Sequence, residues 1–313
     1  MPISATAKAY WQIHFCVLLW GVTAIIGKLI TLSALALVWW RMLLVIAALA
    51  LLPTVWRGMR ALSPRLFAAY CFVGVLVALH WLTFYGSIKL ANASVAASCM
   101  ATASVFLALI EPWLAGKRFE PRELMLGVAV IPGVALVVGG VPPEMRLGIA
   151  VGVLSAILVA FFGALNKRLV ERADALTVTF VELAAGTAFL TLVAPLLVLL
   201  GWAGETSLLQ IPTQHDIVLL LLLAFACTLL PFALSLIALR HMSAFGAQLA
   251  VNLEPVYAVA LAAVLLNEQR DLNGAFYVGV AIILAATLLH PWISRKPELS
   301  GEPVADRSKP IRE

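Results

Sequence analysis

The sequence predicts an all-α polytopic membrane protein, with ten transmembrane helices arranged as two inverted five-helix repeats. Three observations carry this expectation. The 313-residue chain is 63% hydrophobic and 12% charged, whereas a soluble domain is nearer half apolar and a quarter charged. Ten stretches approach the ~20 apolar residues that cross a bilayer, with short polar loops between them. The two halves of the chain also overlay on each other in order.

The spans fall near residues 10–30, 34–53, 67–86, 94–115, 122–140, 147–166, 174–200, 216–238, 244–266 and 272–292. RGMRALSPR and GKRFEPRE are too charged to lie inside a merged span. No loop is large enough to fold as a catalytic domain. The N-terminus runs into a long apolar segment without a small-residue cleavage site, so it reads as a retained first span. Residues 294–313 are polar and proline-containing and read as a disordered cytoplasmic tail. The repeats are then 1–140 and 141–293.

Lysine and arginine in short loops set orientation. With the N-terminus in the cytoplasm, 16 of the 21 basic residues fall inside, 4 fall outside (Lys28, Lys89, Arg146 and Arg270), and Arg41 lies within a span. Both termini are therefore expected in the cytoplasm. The net charge of +5 is spread over these loops, which orientation explains better than nucleic-acid binding. Cys16, Cys71, Cys99 and Cys227 all lie in apolar segments, with no disulfide framework and no CxxC spacing.

The stretch Ser243–Glu268 reads as one bilayer-crossing helix with Gln248, Asn252 and Glu254 near its middle and Pro255 directly after. An ionisable group in hydrocarbon is costly and points to function. The proline frees a backbone carbonyl, which is tolerated only beside protein or a watery cavity. This helix is therefore expected to line a solvated cavity.

The repeat rests on four matches. IIGKLI overlays ALNKRLV (Lys28 with Lys167). LVWWRMLLVIAALALLP overlays VTFVELAAGTAFLTLVAP (Arg41 with Glu182). FYGSIKLANA overlays LSLIALRHMSA (Lys89 with Arg240), and Gly127 overlays Gly279. Five spans per half is an odd number, so the second half is inverted in the membrane. That is a transporter architecture, with the binding site near the midplane between the repeats.

Arg41 and Glu182 each lie roughly 10–12 Å deep at 1.5 Å per residue. They either flank a polar cavity, pairing or holding the two ends of a zwitterion, or fix helix packing. Glu254 is about ten residues from either end of its span. A carboxyl that exchanges its proton when water reaches it suits a proton-coupled carrier; a neutral acid bonded to a neighbouring helix is the alternative. Gln248, Asn252 and Tyr257 fall roughly on one face beside Glu254, and the amides serve equally as interhelical glue. His80, with Trp81 and Tyr85, either lines the cavity's outer vestibule or bonds locally in packing; Trp20 is also deep enough for a cavity wall. Glu111, near the cytoplasmic end of its span and close to Lys117 and Arg118, reads as a surface-paired or snorkelling group. Gly21, Gly27, Gly127, Gly133 and Gly279 permit close helix approach. No nucleophile–base pair, zinc motif, P-loop or dinucleotide fingerprint is present, so neither enzymatic activity nor a cofactor or metal is expected.

LLWGVTAIIGK, WWRMLLVIAAL and LEPVYAVALAAVLLNE followed by FYVGVAIILAATLL resemble the EamA family of the drug/metabolite transporter superfamily, in two copies over almost the whole chain. The resemblance implies ten helices in two inverted repeats and export of amino acids or other small metabolites across the bacterial inner membrane. Arg41 matches the family's second-span arginine, Pro255 its ninth-span proline and Glu268 the acidic residue ending that span. In the first half the corresponding proline position falls near Ala103 and the acidic one near Gly116 or Lys117.

The sequence reading is thus a secondary transporter exporting small metabolites such as amino acids by alternating access. Its partners are a small-molecule substrate and the lipid bilayer, with proton coupling through Glu254. Efflux of hydrophobic or cationic drugs, or a non-transporting membrane sensor, are the alternatives.

Overall fold

The computed structural model describes residues 4–116, 118–200, 210–267 and 272–293. Glu268, Lys117, Arg270 and the tail lie outside the described residues, so the expectations attached to them stay as sequence readings.

The protein is an all-helical multi-span membrane protein. In chain order the helices are α1 (Ala5–Leu29), α2 (Ala34–Ala50), α3 (Pro53–Ala61), α4 (Pro64–Leu90), α5 (Ala93–Met100), α6 (Ala103–Ala115), α7 (Pro121–Gly139), α8 (Arg146–Leu169), α9 (Ala175–Leu199), α10 (Gln214–Ala224), α11 (Leu230–Leu239), α12 (Ala244–Val251), α13 (Glu254–Leu265) and α14 (Gly274–Ile293). Seven continuous or near-continuous helical stretches are long and apolar enough to cross a bilayer, and α2 with α3 gives an eighth. The apolar helices α7 and α14 pack on each other and complete ten segments.

Three details differ from uninterrupted spans. The charged loop after α2 is helical: α3 starts on Pro53 and turns 93° from α2. It buries Val55 and leaves Arg57 exposed, as a helix lying along an interface does. The ninth span breaks at Asn252 and Leu253 instead of running through, because Pro255 has no N–H for the Val251 carbonyl. The fourth span breaks in the same register, between Met100 and Ala103, without a proline. There the hydroxyls of Thr102 and Ser104 bond the carbonyls of Cys99 (2.7 Å) and Ala101 (2.9 Å), competing with the helical ladder.

The packing exchanges the halves. α4 lies on α8, and α11 lies on α1; α5 packs on α13, and α12 on α6. The Lys89 Nζ donates to the Ile30 carbonyl at 2.6 Å. Its repeat partner, Arg240, donates to the Ala173 carbonyl at 2.8 Å. In both halves the cation ending the third span thus ties down the chain leaving the first. Small residues set the tightest crossings, as expected where lipid gives helices no hydrophobic drive to associate. An added Cβ on Gly133 would meet the Gly279 carbonyl oxygen at 2.7 Å.

Candidate functional site

The two broken spans meet in the middle of the bundle, where Asn252 Nδ2 donates to Ser104 Oγ at 3.4 Å. Discontinuous helices of this kind build midplane sites in carriers. Beside them is a cavity of about 130 Å³. Its wall is formed by Ile13, Trp20 and Thr23 on α1, Arg41 on α2, His80, Trp81 and Phe84 on α4, Val159, Phe162 and Asn166 on α8, Phe232, Ser235 and Leu239 on α11, and Ala244, Gln248 and Val251 on α12, with Glu254 at the start of α13.

The lining positions extend from the break toward the side holding the N-terminal end of α1, where Ile13, Leu239 and Ala244 lie. Beyond Thr23 the opposite side is packed: Ala24, Ile25 and Ile26 are buried, and the Tyr85 ring covers Gly27. That side is also tied across the halves. The Asp216 carboxylate accepts the Thr31 N–H and hydroxyl, each at 2.7 Å, and Gln210 Oε1 accepts the Ser33 N–H at 3.1 Å.

Arg41 is buried at 3% exposure. Its Nε donates to Thr228 Oγ1, its Nη1 donates to the Tyr85 hydroxyl at 2.8 Å, and its guanidinium carbon sits 3.9 Å from the Trp81 ring centre. Glu254 lines the same cavity. Gln248 lines the wall, and its Nε2 is buried without a partner.

The remaining sequence candidates are distributed around this centre. His80 reaches the cavity with its ring, while Nδ1 lies 2.8 Å from Ser155 Oγ and 3.0 Å from the Ser155 carbonyl. It therefore also joins α4 to α8. Tyr85 stands behind Arg41. Glu182 shares no hydrogen bond with Arg41: its Oε2 accepts from Asn166 Nδ2 at 3.4 Å and its Oε1 is unpartnered, so it reaches the cavity only through Asn166. Asn252 sits at the helix break. Tyr257 is 36% exposed and packs its Cβ side against Gly21, apart from the lining residues.

Glu111 is not at the surface as expected, and the pairing with Lys117 lies outside the described residues. It is 1% exposed, and its carboxylate accepts the N–H groups of Ala244 (3.0 Å) and Phe245 (2.8 Å). A carboxylate on the positive end of a helix is favourable, and here α6 thereby holds the start of α12. Glu111→Ala is expected to lower Tm, costing about 3 kcal/mol or more for two charge-assisted bonds; an unchanged melting curve in detergent would refute this role.

Nothing in the sequence marks Thr23, Asn166, Thr228 or Ser235 individually. Asn166 lies inside the ALNKRLV repeat match, beside Lys167, and that match is its only sequence signal.

The chain belongs to the EamA-like transporter family, whose model matches residues 7–139 and again 146–290. It is therefore a membrane transporter for small molecules, not an enzyme. A solved crystal structure of a protein shares the fold, with a TM-score of 0.65 and 16% identity over 92% of this chain and 97% of that one. No curated protein matches the chain.

Proposed function

We propose that this transporter exports small zwitterionic metabolites such as amino acids across the inner membrane by alternating access. Both termini lie in the cytoplasm, with the tail on that side, and proton movement is coupled through Glu254. The observation that carries the reading is that a guanidinium, Arg41, and a carboxyl group, Glu254, line one cavity. A zwitterion presents both charges within a few ångströms, and each is costly to desolvate unpaired. The cavity opens on the side of the N-terminal end of α1, the cytoplasmic side under the basic-loop orientation, where an exporter collects its cargo.

The test is the extracellular metabolite profile of cells overproducing the protein, compared with cells making Arg41→Ala at equal membrane abundance. One or a few amino acids should accumulate only with the unmodified protein. Identical profiles in amino-acid-rich medium would count against export of these solutes. Efflux of hydrophobic cations is the second reading, favoured by the aromatic wall of Trp20, Trp81, Phe84, Phe162 and Phe232. A drug panel in proteoliposomes separates it from the first. Saturable binding without flux would instead indicate a sensor.

A further inference from the structure

The eighth span carries an irregularity that the repeat does not require. Residues Phe225–Leu229 form a π-helical turn between α10 and α11, and Leu230 N–H bonds back five residues to the Phe225 carbonyl. Pro231, one residue on, has no N–H to continue the regular ladder. Overlaying Lys89 on Arg240 places Val77 opposite Thr228, within the unbroken helix α4. The repeat partner of Arg41 is Glu182, which bonds elsewhere. The π turn, Thr228 and Arg41 thus form a device present in one half only, and single π turns occur frequently at functional sites.

The turn fixes what Thr228 can do. Its hydroxyl donates to the Leu223 carbonyl, five residues back, at 2.6 Å. With its proton committed, the oxygen faces Arg41 as an acceptor and takes the Nε–H. The Tyr85 oxygen takes one N–H of Nη1, and Trp81 covers a guanidinium face. Of the five guanidinium N–H groups, the three outside these bonds are all on Nη1 and Nη2. Those two nitrogens form the edge that receives a carboxylate in a bidentate, charge-assisted pair.

We propose that Thr228, set by the π turn, and Tyr85 are positioning residues that aim the Nη1–Nη2 edge of Arg41 at the carboxylate of the transported solute, making the cavity selective for carboxylate-bearing cargo. The proposal rests on the zwitterion reading for its location and goes beyond it in naming which end of the solute is read and by what. A merely structural Thr228 would affect all ligands alike, whereas a positioning Thr228 affects only those with a carboxylate.

The full-length protein in detergent is titrated with three matched probes: L-phenylalanine, its decarboxylated amine 2-phenylethylamine, and 3-phenylpropanoate, which lacks the amine. Variants are Thr228→Val, Thr228→Ser and Tyr85→Phe, each shown to be monodisperse. Thr228→Val should weaken binding of the two carboxylates roughly 10-fold, the loss of one bond to a charged group, and leave the amine's affinity unchanged. Thr228→Ser, which keeps the oxygen, should recover most of the loss, and Tyr85→Phe should reproduce it. Unchanged carboxylate binding in Thr228→Val, or equal weakening of all three probes, overturns the proposal while leaving the zwitterion reading intact. Tight binding of 3-phenylpropanoate, sensitive to Thr228→Val, with no gain from the amine supports the proposal and overturns the zwitterion reading. A wild type that binds the amine as well as the carboxylates, or binds no probe, overturns both.

Discussion

Glu254→Gln is expected to abolish solute flux driven by a pH gradient while sparing solute-for-solute exchange. Glu254 is the first residue of α13, placed where the ninth span breaks. Ten residues separate it from Ala244 at the start of that span, roughly 15 Å at 1.5 Å per residue, or about half of a ~30 Å hydrocarbon core. A carboxyl at that depth is reachable from either face as the carrier changes state, and in this conformation it lines the cavity. Glutamine keeps the size and one carbonyl but cannot exchange a proton. In proteoliposomes, gradient-driven uptake should fall at least ~10-fold, toward protein-free background, an effect of the size seen when a positioned acid or base is lost. Counterflow of labelled against unlabelled solute should persist with a raised KM, because Arg41 remains in place. Gradient-driven flux at the wild-type rate would sink the coupling role. Loss of both activities in a folded variant would assign Glu254 to solute binding alone.

Much of the fold was legible because a bilayer restricts what a backbone can do. Helix is what a single apolar stretch can form without stranding its N–H and C=O groups, so Ala5–Leu29 and Pro64–Leu90 follow almost directly from composition. The breaks were less accessible. Pro255 announced disruption in the ninth span, but its counterpart at Ala101 and Thr102 is broken by serine and threonine hydroxyls, which also occur in intact helices. Pro231 lies in the eighth span, and only the structure shows the π turn before it that presents Thr228. Buried charge was legible as a signal: Arg41 and Glu254 meet on one cavity. Its partners were not, because Thr228 lies 187 residues from Arg41 and nothing local marks it. Glu111 misled for a related reason. Proximity in sequence to Lys117 and Arg118 suggested a surface position, while the residue is buried and holds backbone N–H groups 133 and 134 residues away.

Gly74→Leu is expected to give no recoverable folded protein, and even Gly74→Ala should lower Tm sharply. The α4–α9 crossing is made backbone to backbone. A Cβ on Gly74 would overlap the Glu182 carbonyl oxygen and lie 2.7 Å from its carbon and 2.8 Å from its Cα. One turn on, a Cβ on Gly186 would lie 2.7 Å from the Gly74 carbonyl oxygen. Neither helix has a flexible side chain to yield there, so relief requires moving α9 as a body, with its packing on α2 and α11. Overpacking of this kind costs about 3 kcal/mol or more, a large share of the stability of an ordinary fold. Gly86→Ala on the same helix is the control, since its added Cβ would meet only Val151 Cγ1 at an ordinary 3.6 Å. Monodisperse yield and thermal melting in detergent check both variants, and a Gly74→Leu protein melting with the wild type would refute the crossing. The same contact bears on the site. Gly74 holds the backbone of Glu182 itself, so this crossing fixes where the Glu182 carboxyl emerges and keeps it on Asn166, one residue behind the cavity wall.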